Sequence, residues 1–295
     1  MQIAIRILLI GVCLFAPLSF ADLAAANKPS PVNASNLTSI TVHPNWQLVW
    51  QDEFSDPTLD TSKWSIEHSC WGGGNKEKQC YTPNKNNVFI QSGNLVLQAL
   101  YGSSTGPALH PTHPDNLLSH TKTLPFSSGK VLSKGKGDWR YGRMEIRAKL
   151  PQGQGTWPAI WTLGKNINED GAYWDNQGFG TRSWPACGEI DIMEHGLGAI
   201  NHVSSAIHTP SSFGATINYQ SFVLNDVAND FHVYSVNWSP NKITFLIDGV
   251  GFYSYNPALK DSNTWPFFED QYIILNIAMG GISGAIDPNF TESSM

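Results

Sequence analysis

Charge is scarce in this chain: Asp, Glu, Lys and Arg make up only 14% of its residues, and the formal balance is -6. No basic run appears, so nothing offers a phosphate-neutralising surface and nucleic acid is not an expected partner. Cysteine is also sparse, four in 295 residues, and none has the spacing of a structural zinc site. No stretch sustains a 3.6-residue apolar period, which argues against helices of any length. The longest apolar run, Ile7 to Phe20, is interrupted by Pro17 and is short for a membrane span.

What is present near the start is a leader pattern. Arg6 is followed by that apolar run, then by small residues at Ser19, Ala21 and Ala24 to Ala26. Residues 1–26 are expected to be a secretory signal cut near Ala21 or Ala26, and 27–44, rich in Ala, Asn, Ser and Pro, a flexible lead-in. The remainder, 45–295, reads as one domain that is extracellular or periplasmic, monomeric and off the membrane once the leader is gone. In an oxidising compartment Cys70 and Cys80, which flank a Gly-rich loop, are the natural pair. Cys187 fits a small buried residue. Eleven Trp and 41% hydrophobic residues provide for a sizeable core and for stacking on sugar rings.

Period-two alternation dominates. Trp46 to Phe54 alternates, and Asn86 to Ala99 reads as strand, turn and strand around Ser92-Gly-Asn94. Tyr141 to Leu150 puts Arg143, Glu145, Arg147 and Lys149 on one face and Met144, Ile146, Ala148 and Leu150 on the other. Trp157 and Trp161, four apart in the next strand, share a face and suit a groove lined by aromatics; core packing is the alternative for each. Further strands are expected at 202–209, 231–238, 242–248 and 272–278. Residues 102–137, with His110, His113 and His120, read as a long polar loop whose histidines are solvated, and 165–183 as a second loop.

The most informative stretch is Trp184-Pro-Ala-Cys-Gly-Glu-Ile-Asp-Ile-Met-Glu-His-Gly196. On a strand Glu189 and Asp191 point the same way, whereas Glu194 has the opposite parity. One extra residue, a β-bulge at Met193, would return Glu194 to their face. Two glutamates leaning together over about 13 Å of strand would bring their carboxyls to about 5–5.5 Å, the separation for retaining glycoside hydrolysis. The same letters fit an edge strand with a solvated acidic face. The apolar, Trp-rich surroundings favour a site instead, because crowding three acids costs stability unless they are used. Trp184 lies beside the acids, and His208, on the expected hairpin partner of this strand, is their candidate neighbour.

The segment Glu189-Ile-Asp-Ile-Met-Glu194 resembles the bulged signature of glycoside hydrolase family 16. Together with Trp157-Pro-Ala-Ile-Trp161 and the Trp184–His195 block it is similar to the laminarinase branch, endo-acting on β-1,3-glucans, over roughly residues 45–290. The resemblance implies an all-β fold: a jelly-roll, concanavalin A-like β-sandwich of two curved antiparallel sheets with a concave cleft. It implies Glu189 as nucleophile, Glu194 as acid/base and Asp191 as the residue that tunes both, with β-glucan as substrate and no cofactor required. It also implies sugar contacts from Asn87 and Arg143, alongside Trp157, Trp161, Trp184 and His208, and a possible structural calcium near Glu53 on the convex side. In that family one more strand, rich in Tyr and Val, follows the Asp287-Pro-Asn-Phe290 segment; here the sequence stops at Met295, so an unpaired edge beside the opening strand is expected. A non-catalytic glucan-binding protein, a transglycosylase, an agarase, a carrageenase and a mixed-linkage glucanase are the alternatives.

Overall fold

The computed structural model describes residues 4–10, by their backbone, together with 46–110, 113, 120–168 and 180–295. The cleavage region and lead-in of the expected leader, and Tyr173 and Trp174 of the second loop, lie outside the described residues. The described residues form three sheets. The outer sheet has the order β16 (Val250–Tyr255), β15 (Ile243–Ile247), β14 (His232–Trp238), β9 (Gly142–Ala148), β1 (Ala4–Ile10) and β2 (Trp46–Asp52). The cleft sheet has the order β13 (Tyr219–Val223), β12 (His202–His208), β11 (Glu189–His195), β10 (Thr156–Gly164), β17 (Gln271–Met279), β8 (Lys130–Leu132) and β3 (Ser65–Ile66). A flanking sheet joins β18 (Glu292–Ser294), β6 (Leu95–Pro107), β7 (Thr121–Ser128) and β4 (Gln79–Tyr81), with β5 (Val88–Ile90) paired to β6.

Alternation decides which side of each strand is buried. Met144, Ile146 and Ala148 of β9 turn inward with Tyr234, Val236 and Trp238 of β14. From the cleft sheet Ile160, Ile190, Ile207, Ile273, Leu275 and Ile277 meet them across the sandwich. Phe245, fully buried here, contributes about 2–3 kcal/mol by leaving water. The opposite face of the cleft sheet is then free to carry polar and aromatic side chains. Nine consecutive pairs between β10 and β17, Thr156↔Met279 to Gly164↔Gln271, keep its centre regular.

Three expectations change. Much of the described part of 102–137 is strand: β6 runs on to Pro107 and pairs with β7, and β8 follows. Its Gly- and Ser-rich composition hides this, because the pairing is stabilised by cross-strand contacts such as Thr105 Oγ1 to Thr123 Oγ1, 2.7 Å. The sandwich carries a third sheet on its flank. Finally, Ala4–Ile10, inside the expected leader, pairs with β2 on one side and β9 on the other, so the place beside β2 is filled for as long as that segment is retained. Cys70 and Cys80 are joined by a disulfide, and Cys187 is buried.

Candidate active site

The bulge is present in β11. Against β10, Asp191 pairs with Trp161 and Glu194 with Ala159; against β12, Asp191 pairs with Ala206 and Glu194 with Ser204. Two residues, Ile192 and Met193, therefore occupy the space of one partner, and both turn into the core. The extra residue resets the parity, so Glu189, Asp191 and Glu194 all line one cleft of about 1310 Å³. Gly196 lets β11 end abruptly: φ is +92°, and a Cβ there would sit 2.0 Å from the Thr156 carbonyl oxygen.

Each acid has its own holder. Trp184, in the turn before β11 and followed by a cis peptide bond to Pro185, donates Nε1 to Glu189 Oε2 at 2.9 Å. Trp157 of β10 donates Nε1 to Glu194 Oε1 at 3.0 Å. His208 of β12 places Nε2 at 3.1 Å from Asp191 Oδ2 and 3.6 Å from Glu189 Oε1. The Gly214 N–H donates to His208 Nδ1 at 3.1 Å, which leaves the hydrogen of a neutral ring on Nε2, facing the acids. That nitrogen is off-axis for a full hydrogen bond to Asp191 Oδ2, so the contact is mainly electrostatic.

Burial lifts all three carboxyls above their ordinary range, and repulsion from neighbouring acids adds to it for Glu189 and Glu194. Burial pushes Asp191 up to about 8. Burial, then the charge of Asp191, pushes Glu194 up to about 8, against the pull of the Trp157 bond and of His208. Glu189 is raised well above its ordinary value, by burial and then by Asp191, and is pulled back by His208 and Trp184. The cluster therefore holds protons at neutral pH, and its members do not all carry charge at once.

Beyond the acids, the cleft floor is a connected network. Trp161 Nε1 donates to Asn276 Oδ1 at 2.7 Å, and Asn276 Nδ2 donates to Tyr81 Oη at 3.1 Å. Lys130 lies over the rings of Tyr81 and Trp161, at 5.3 and 5.6 Å, and pairs with Glu67 at 2.7 Å. Burial alone would raise Glu67, but Lys130 and Ser69 hold it below its ordinary value. Trp71, on the loop closed by the disulfide, meets His110 edge to face at 5.0 Å, and both line the cleft. His110 is thus part of the wall rather than a solvated loop histidine. Glu67, Trp71, Tyr81, Lys130 and Asn276 escaped the sequence reading because they converge from distant segments; the one local signal was Asn276, a polar residue inside an apolar strand.

The other sequence-derived candidates divide between the cleft and places outside it. Trp157, Trp161, Trp184 and His208 line the cleft. Arg143 does not: it is on the outer face of β9, in the other sheet, where it donates to Glu145 at 2.6 Å and to Asn237 at 2.8 Å. Asn87 is also outside the cleft, with its amide bonded to the Gln98 carbonyl and to Ser127 Oγ. The residues near Glu53 do not fit a calcium site built from carboxylates. Both oxygens of neighbouring Asp52 accept from Phe54 N and Trp64 Nε1, and Glu53 joins no cluster of three His, Cys, Asp or Glu ligands among the described residues. Glu189, Asp191 and His208 do form such a cluster, with one atom of each within 4.8 Å. There His208 offers a hydrogen, not a lone pair, on the nitrogen facing the acids.

Comparison with known proteins agrees with this geometry. The family model for glycosyl hydrolases family 16 matches residues 74–293. The chain is 38% identical over 264 residues to glucan endo-1,3-beta-glucosidase A1 of Niallia circulans, covering 83% of this chain and 36% of that longer protein. It is 34% identical to the beta-glucanase of Rhodothermus marinus, covering 83% of this chain and 80% of that protein. Among solved structures, the laminarinase from Flavobacterium sp. UMI-01 superposes with a TM-score of 0.68 at 33% identity, over 84% of this chain and 96% of that one. With a bulged acidic strand at the floor of a jelly-roll cleft and this similarity along most of its length, the chain belongs to glycosyl hydrolases family 16 and is a laminarinase-like glycoside hydrolase.

Proposed function

We propose that the chain is a secreted, monomeric endo-β-1,3-glucanase that works by double displacement. The observation that carries this reading is the bulge, which puts Glu189 and Glu194 on one cleft face, each held by its own indole N–H. Glu194, lifted to about 8, retains its proton at neutral pH and is the acid. Asp191, also raised, keeps a proton and so withdraws the charge that most opposes ionisation of Glu189 after burial itself. Glu189 is the member to which this reading assigns the negative charge: Trp184 and His208 favour its ionised form against the burial that raises it well above its ordinary value.

In the first step a Glu189 carboxylate oxygen bonds to the anomeric carbon as the glycosidic C–O bond breaks, and the Glu194 proton passes to the leaving oxygen. In the second step Glu194 takes a proton from water, the water oxygen bonds to the anomeric carbon, and Glu189 is released. Two carboxyls supply nucleophile and proton, so this sequence calls for no cofactor. A cleft of about 1310 Å³ lined by Trp71, Trp161 and Trp184 has room for several sugar units and suits binding within a polymer. The choice of β-1,3-glucan is supported by the relatives named above, and secretion by the leader pattern and the disulfide.

The test is release of reducing ends from laminarin, with binding measured alongside. Wild-type protein is expected to hydrolyse it, and Glu189→Ala to lose turnover while still binding. Unchanged turnover in Glu189→Ala would reject the nucleophile; binding without turnover in the wild type would make the chain a glucan-binding protein.

A further inference from the structure

A second groove, of about 520 Å³, lies on the flanking sheet and meets the catalytic cleft at His68, which lines both. Its walls contain no Asp, Glu, Lys or Arg; apart from His68 they are hydroxyl, amide and apolar groups. Such a lining gives no charge to an anionic or cationic ligand and suits a neutral, hydroxyl-rich one.

An aromatic ring stands in it. Tyr101 of β6 is 66% exposed, and its ring meets Phe126 edge to face at 5.6 Å. Immediately after it the pairing of β6 with β7 is broken between Tyr101 and Ser104. Gly102, at φ +147°, and Ser103 leave the ladder there and line the groove. The floor is pre-organised: Thr82 Oγ1 donates to Asn87 Oδ1 at 2.6 Å, and Asn87 Nδ2 donates to Ser127 Oγ at 3.1 Å. A rigid neutral floor beside an exposed ring is what a pyranose needs, since it presents an apolar face of C–H bonds and a rim of hydroxyls.

We infer that this groove is a second binding site for a neutral glucan chain, engaged when a polymer runs out of the cleft past His68. The inference rests on the endo-glucanase reading and deepens it: the groove favours long chains over short ones without touching the reacting atoms.

The experiment compares wild type, Tyr101→Ala and Tyr101→Phe on laminarin and on a β-1,3-linked tetrasaccharide, and measures laminarin binding in a Glu189→Ala background. Tyr101→Ala is expected to raise KM for laminarin and weaken its binding about fivefold, the loss of one aromatic contact. Its kcat and its constants on the tetrasaccharide should be unchanged, and Tyr101→Phe, which keeps the ring, should behave as wild type. Unchanged laminarin KM and binding in Tyr101→Ala would overturn the inference, as would an equal rise in KM on the tetrasaccharide. Absence of laminarin hydrolysis in the wild type would instead defeat the endo-glucanase reading, and the binding measurement would still decide the groove.

Discussion

The indole of Trp157 donates to Glu194 Oε1 over 3.0 Å, linking the acid of one strand to the aromatic of its neighbour inside the cleft. The bond favours the ionised carboxylate and partly offsets the burial that raises it. Trp157→Phe keeps the ring and removes the donor. The carboxyl should then titrate higher still, so the alkaline limb of kcat should move to higher pH. The maximal rate should drop about tenfold, the equivalent of one hydrogen bond of about 1.4 kcal/mol. A pH–rate profile of the variant against the wild type checks both, and coincident profiles would show that the bond does not tune Glu194.

The raised carboxyls have a cost in stability whose sign is fixed. Asp191 and Glu194 lie near 3.8 and 4.5 when unperturbed and are raised to about 8 in the folded protein. Between those limits the native state holds protons that the unfolded chain releases, so stability falls as pH rises through this window and levels off above it. Glu194→Gln removes one titrating group. Its melting temperature should therefore gain on the wild type progressively from pH 5 to pH 8. A difference that stays constant over that range would mean Glu194 titrates normally. In the wild type, kcat should decline above about pH 8 as the acid loses its proton.

The disulfide between Cys70 and Cys80 closes the loop that carries Trp71 against His110. Removing it in a Cys70→Ser, Cys80→Ser protein frees the unfolded chain and should cost about 2–3 kcal/mol, read from denaturant unfolding. The wall of the cleft should loosen with it, raising KM for laminarin more than it lowers kcat. If stability falls and KM does not, the loop is a staple for the fold alone.

Legibility was uneven, and for physical reasons. The Trp184–Gly196 stretch could be read because strand parity is a local property: a single extra residue between Asp191 and Glu194 accounts for all three acids facing one way. The inward face of β9 was equally plain from alternation. Arg143 and Asn87 were not. Alternation says that a side chain leaves the core, but it does not say which sheet the strand joins, and β9 joined the outer one. The flanking strands of 102–137 were hidden by Gly and Ser, whose strand character comes from pairing rather than propensity.

The amino-acid order alone therefore determined an all-β chain, a bulged acidic strand and the aromatics four residues apart beside it, since each depends only on near neighbours. The tertiary structure decided which indole holds which glutamate, that His208 faces Asp191, and that Glu67, Lys130 and Asn276 meet under Trp161. Among those pairings Trp161 and Asn276 are 115 positions apart. Only the packing of strands into one sheet brings such groups within hydrogen-bond reach, and no local pattern encodes it.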